Sequence, residues 1–430
     1  MSNHPFAPLR HRDVRLLWGA ACVSDAGTWV QLIVVGSLVA AGTGSAVQTG
    51  LVALATFMPQ GIASPVGGLL ADRFDRRKVF ALALVGQAIA TTALAVVLGS
   101  GVRSPMVLTA FILVSSAAGS LGAPSYAAML PDLVPPEELM AMVSLGVYSW
   151  NSGRIVGPLV GTALVLAVGP AWTVGFNAFS FVVMVAAVVA VRRPFRSAHA
   201  DDPAGVVQRL AGGWRTLRAT PACFHGVVLL VLFNLTVVPF MGLIPIFVAA
   251  EFDGGTGLAG LVASAQGVGA IVGGVLITVL AARYRRSFLV GRLMFVLSGA
   301  LVFYALASGV PWLVAASALL GAASSSMFIS SSAVIQRDAP DASRGRVMSI
   351  MQASMGVSYG VGLLFIGTVA DAVNLPVAFL IGSVLLLVGF GLLTRRSPHW
   401  RTAFDCNEVV PGRPSRLDPP VDVLSVACGD

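Results

Sequence analysis

Asp25 and Arg154 are an acid and a base embedded in apolar runs long enough to cross a bilayer. Each lies roughly ten to fifteen residues from the basic end of its run, about 15–22 Å at a helical rise of ~1.5 Å per residue. An unpaired charge at that depth costs at least ~2.5–3.5 kcal/mol, so each must face a polar cavity or a partner. Two chemistries follow. Either the two form a static pair in which Arg154 anchors its segment, or Asp25 takes up and releases a proton while Arg154 tunes it or holds an anionic substrate. Asn151 precedes Arg154 by one turn on the same face and is a candidate for the same cavity. Gln31, Gln87, Asn177 and Gln352 read as hydrogen-bonding links between segments. Asn234, Gln266 and Tyr359, near the middle of theirs, are the further cavity candidates.

The second constellation is a loop. An apolar run ends at Ala71, six of the seven residues Asp72–Lys78 are charged, and another apolar run begins at Val79. Charge of that density cannot sit in hydrocarbon, so this is a tight turn at a membrane face. Its bland role is to mark topology, since basic loops stay cytoplasmic. The fixed spacing of Gly68, Asp72, Arg73, Arg76 and Arg77 suggests more, a polar latch between two helices. A third feature is the stripe Gly153, Gly157 and Gly161, with Pro158 after its middle member. Small residues every four positions let two helix backbones approach closely. Gly260, Gly267 and Gly274, spaced by seven, offer a partner face.

Other chemistries find no footing. The only lysine is Lys78, so no phosphate-binding G-x-x-x-x-G-K-[ST] loop exists and the chain is not itself a Walker-type ATPase. Gly255–Gly260 fits G-x-G-x-x-G but opens an apolar helix with no strand before it. Cys22, Cys223, Cys406 and Cys428 form neither a C-x-x-C pair nor a metal spacing, so no metal or cofactor is expected. The net charge of +8 comes in short clusters between apolar runs, which argues against a nucleic-acid face.

The elements that carry these residues are membrane helices. Residues are 56% hydrophobic and 11% charged, against roughly 25% charged in a soluble domain. Runs this long and continuously apolar satisfy their backbone only as helices. Twelve are expected, near 16–40, 47–71, 79–99, 105–130, 139–167, 171–191, 223–250, 257–282, 287–308, 311–334, 347–370 and 374–394. The polar start lacks a cleavable signal, so the first span is expected to be retained. Of the 27 Lys and Arg, 25 fall on one side when the N-terminus is inside, which puts both termini in the cytoplasm of a multi-pass plasma-membrane protein.

The segment 192–222 divides the chain into halves 1–191 and 223–394. Within it Val206, Val207, Leu210, Trp214 and Leu217 recur at helical spacing among arginines, as in a helix lying on the membrane surface. The tail 395–430 is polar, Pro-rich and aperiodic, and is expected to be disordered. Pro135–Ser144 and Pro340–Ser349 hold the same place in each half, which makes Tyr359 the counterpart of Arg154. The second half repeats the loop's glycines at Gly273 and Gly274 and its arginines at Arg283, Arg285 and Arg286, but 270–292 contains no acid.

Gly68, Asp72, Arg73, Arg76 and Arg77 resemble the loop between helices 2 and 3 of the major facilitator superfamily, G-x-x-x-D-R-x-G-R-R, with Asp75 in place of the usual glycine. Gly146, Gly153, Gly157-Pro158 and Gly161 resemble the span-5 antiporter motif, with Thr162 where a last glycine is usual. Ser24–Trp29, Asn151–Gly161 and Arg344–Met348 are similar to the group of the enterobactin exporter and macrolide efflux proteins. The resemblance implies an all-α membrane fold of twelve helices in two parallel six-helix repeats. It implies a non-enzymatic, proton-coupled exporter of a siderophore-like or drug-like molecule, acting as a monomer by alternating access. Asp72 and Arg73 would then hold the cytoplasmic ends of the halves together in one state. An importer or uniporter on the same fold, and a non-transporting scaffold or sensor, are the alternative readings.

Overall fold

The computed structural model describes residues 6–192, 206–340 and 343–405, and among them all regular structure is helical. The helices are α1 (Arg12–Thr43), α2 (Ala46–Arg73), α3 (Arg76–Gly99), α4 (Pro105–Leu133), α5 (Leu139–Ala190), α6 (Val206–Ala219), α7 (Pro221–Thr236), α8 (Pro239–Gly242), α9 (Ile244–Phe252), α10 (Thr256–Ala281), α11 (Arg286–Ala305), α12 (Val310–Asp338), α13 (Arg344–Ala372), α14 (Leu375–Arg396) and α15 (Trp400–Asp405). Eleven stretches are long and apolar enough to cross a membrane among the described residues. One of them is α5, of 52 residues, which is two helices end to end. Gly169 breaks it with φ 80°, ψ 170°, and Pro170 starts the next helix. The residue before a proline is biased away from the helical region, and the conformation adopted here is one that glycine takes without strain. The expected spans 5 and 6 meet at this break.

Local chemistry sets the other ends. Ser45 caps α2 by accepting from the Gln48 amide at 3.2 Å, and Asn374 caps α14 through the Val377 amide at 2.8 Å. Gly44, left-handed at φ 62°, closes α1. The span expected over 223–250 is not one helix but α7, α8 and α9. Pro239 and Pro245 lack the amide that would continue the ladder, and they stand in the first turns of α8 and α9. Leu82, Val85, Ile89 and Val96 recur on one face of α3 and are exposed, the surface a lipid-facing helix presents.

The chain packs as two units. The first comprises Met1–Pro203 with Gly242–Gly267, and the second Ala204–Met241 with Val268–Asp430. The sequence division at 192–222 gave all of α10 to the second half, whereas packing gives its first part to the first unit. The core of the first unit includes Leu17, Met129, Leu145 and Val188, all fully buried. In the second unit Gly213 of α6 lies against Arg346 and Ile350 of α13, with Leu217 buried and Trp214 exposed. Side chains of 206–211, and so Val206, Val207 and Leu210, lie outside the described residues. The tail departs from expectation over its first part, because Trp400–Asp405 is a helix with Trp400 and Phe404 buried. Residues 406–430 lie outside the described residues.

Candidate functional site

The site is built on the seam between α1 and α5 in the first unit. A Cβ placed on Gly153 would stand 2.8 Å from the Asp25 carbonyl carbon and 2.9 Å from the Ala26 nitrogen. On Gly157 it would stand 2.7 Å from Trp29 Cβ and 2.8 Å from the Ala26 oxygen, and on Gly161 3.3 Å from Val30 Cα. The glycine face of span 5 therefore meets α1. The expected partner, α10, meets a different face of α5. A Cβ on Gly260 would come within 2.8 Å of the Pro158 oxygen, and one on Gly267 within 2.8 Å of Ile155 Cγ1. Gly274 turns to α12, where Ile329 Cδ1 would be 3.3 Å away. A seven-residue spacing on one helix does not oblige all three to face the same neighbour.

This close approach lets short side chains reach across. Ser149, one turn before Gly153, donates its hydroxyl to Asp25 Oδ2. Arg154 Nε donates to Gln266 Oε1 at 3.2 Å, and its guanidinium carbon stands 5.8 Å from the centre of the Trp29 ring. Trp29 is in turn 5.5 Å from Trp150 and 6.0 Å from Phe57. The static Asp25–Arg154 pair is thus replaced by two separate arrangements, an acid on a hydroxyl and a base between an amide and an aromatic face. A cation over an indole is attracted by the ring quadrupole, more strongly where water is excluded. Two further contacts join α10 to α5: Ser264 Oγ donates to the Ile155 oxygen at 2.7 Å, and the Thr162 hydroxyl is shared between the Pro158 oxygen of its own helix at 3.0 Å and the Thr256 oxygen at 3.2 Å. Thr162, a departure from the glycine of the motif, serves as a linker there.

The other cavity candidates are distributed. Asn151 donates to the Val147 oxygen and Asn234 to the Leu230 oxygen, both at 2.9 Å on their own helices. Gln266 is buried in the first unit, while Asn234 and Tyr359 are buried in the second. Ser149, Trp29 and Trp150 were missed as site residues. Trp29 lies within the Ser24–Trp29 motif, and Ser149 stands four residues before Gly153. Those placements are the signals that were available.

At the charged loop Asp75 is the N-cap of α3, its Oδ1 accepting from the Lys78 amide at 3.1 Å. The acid that departs from the loop signature is therefore a helix cap. Arg76 donates to the Ala128 oxygen on α4 at 3.2 Å and Arg77 to the Val189 oxygen on α5. They tie the start of α3 to its neighbours. Gly67, not Gly68, is the packing glycine: a Cβ on Gly67 would meet the backbone of Leu121, one on Gly68 nothing within 4 Å. Arg73 is exposed, and the side chain of Asp72 lies outside the described residues. Nearby, Glu138 binds Arg10 and His11, a leader-to-α5 contact that the sequence did not announce.

Comparison with known proteins gives this geometry a context. The transmembrane secretion effector family profile matches residues 3–415. The multidrug efflux pump Tap of Mycobacterium tuberculosis is 28% identical over 408 residues, covering 90% of this chain and 93% of that one. Macrolide efflux protein A of Streptococcus pyogenes is 23% identical over 350 residues, covering 80% and 86%. A crystal structure of a bacterial homologue of the lysosomal transporter Spinster, inward-facing and occupied, superposes with a TM-score of 0.70 at 14% identity. It covers 94% of this chain and 99% of that one, a likeness of fold alone.

Proposed function

This chain belongs to the transmembrane secretion effector family of major facilitator transporters, and from that premise we propose that it is a proton-coupled exporter of a small amphipathic molecule. It is a membrane transporter and not an enzyme. The observation that carries the finer reading is the Asp25 carboxyl, held by Ser149 inside a membrane-spanning helix one turn from Trp29 and its Arg154 cation. A carboxyl there changes its charge by a whole unit on gaining a proton. It offers the differential contact that a two-state carrier must make. Arg154, Gln266 and the three aromatic rings supply a cationic and flat apolar surface suited to a drug-like or siderophore-like compound. The relatives' names support export of compounds of that kind.

The clustering of Lys and Arg supports the orientation in this reading. The loop Asp72–Lys78 faces the cytoplasm with both termini, and Asp72 and Arg73 close that side in one state of the cycle. The sequence halves 1–191 and 223–394 are the two repeats that rock, and the carrier works as a monomer. Inside-out vesicles carrying wild type and Asp25→Asn, energised to an acidic interior, test it. They are offered macrolides, lipophilic cations and catecholate siderophores. Substrate-dependent proton release in the wild type that disappears in Asp25→Asn is the expected result. Accumulation indifferent to the gradient would overturn proton coupling.

A further inference from the structure

The N-termini of α3 and α11 follow the charged loops of the two halves and present the same electrostatic problem. The first turn of a helix leaves four amide donors without partners and carries about half a positive charge. Arginines crowd both ends, Arg76 and Arg77 on α3, Arg283, Arg285 and Arg286 on α11. The first is solved in place, by the Asp75 cap. At α11 the N-cap residue is Arg285, which makes no capping bond, and its first turn holds no acid.

The acid arrives from the far end of the chain. Asp405 Oδ1 accepts from the Ser287 amide at 3.1 Å and Oδ2 from the Ser287 hydroxyl at 2.6 Å, across 118 residues. The helix that brings it, α15, is seated firmly. Trp400 and Phe404 are buried, with Trp400 5.8 Å from Phe390 of α14 and 5.6 Å from Phe404. Arg337, at the end of α12, donates to the Phe404 oxygen at 2.9 Å while it forks onto Asp338. Every one of these groups lies in the second unit.

We infer that Asp405 is a positioning residue, the N-cap of α11 supplied in trans, and that α15 is a strap fixing the basic loop Arg283–Arg286 to the ends of α12 and α14. The tail thereby supplies the acid that the second half's loop lacks.

The test is amide hydrogen exchange on the full chain in lipid nanodiscs, read at Ser287. That amide is a first-turn donor with no acceptor in its own helix, so its protection reports Asp405. Loss of a cap accelerates exchange there by about tenfold in Asp405→Ala, with α14 amides unchanged. Trp400→Ala, which unseats α15, gives the same local effect. Adding Arg285→Asp to Asp405→Ala places an acid at the N-cap in cis, and it restores protection to a first-turn amide, Ser287 or Phe288, as Asp75 holds the Lys78 amide on α3. A protected Ser287 amide in Asp405→Ala or in Trp400→Ala overturns the inference. So does failure of Arg285→Asp to protect either the Ser287 or the Phe288 amide, or faster exchange spread through the whole chain.

Discussion

Gly153→Ala adds one methyl group where α5 meets the backbone of α1, and the structure fixes its consequence. The new Cβ would stand 2.8 Å from the Asp25 carbonyl carbon, 2.9 Å from the Ala26 nitrogen and 3.0 Å from Asp25 Cβ. Carbon atoms rest about 3.5–4.0 Å apart, so α1 must withdraw by about 0.7 Å. Backbone atoms cannot swing aside as a side chain can. That retreat stretches the Ser149–Asp25 bond and moves Trp29 relative to Arg154. Overpacking of this kind costs ~1–3 kcal/mol, and a weakened hydrogen bond to a charged group ~1.5–3 kcal/mol. Alanine returns about 1 kcal/mol of helix propensity. The net expectation is a loss of ~1.5–5 kcal/mol and near-abolition of export.

Gly146→Ala is the control, because Gly146 belongs to the same family motif but has open space around its Cβ. It is expected to be neutral or to stabilise by about 1 kcal/mol, with export retained. Thermal unfolding in detergent and drug export from cells measure both variants. If Gly153→Ala unfolds and transports like Gly146→Ala, the seam is not the constraint described.

Three further outcomes follow. Ser149→Ala leaves the Asp25 carboxyl without its donor, at ~1–3 kcal/mol, and slows export several-fold; in an Asp25→Asn background it adds little, so a double-mutant cycle shows strong coupling. Arg154→Lys keeps the charge but loses the planar contact with Trp29 and the Nε bond to Gln266, and export falls while expression does not. Asp75→Ala removes the cap of α3 and lowers stability by ~1 kcal/mol in thermal unfolding, with export per folded molecule nearly unchanged.

The sequence by itself determined what depends on short stretches of chain. Each apolar run reports its own transfer free energy, so the spans and the gap between 167 and 171 could be read without tertiary knowledge. So could the charged turn at Asp72–Lys78. Even there, two prolines divided the expected seventh span, and six residues of the tail folded because Trp400 and Phe404 found a buried seat.

Tertiary structure alone decided which helix each feature meets. The Gly153–Gly161 stripe announced a close approach but not its partner, and the partner is α1. Asp25 and Arg154 announced buried charge, yet one turned to Ser149 and the other to Gln266 and Trp29. Asp405 caps a helix 118 residues away. In a membrane every helix is apolar on most faces, so hydropathy carries almost no information about which face packs where. That choice is made by backbone approach, side-chain reach and the need of each buried polar group for a partner, and those are properties of the assembled bundle.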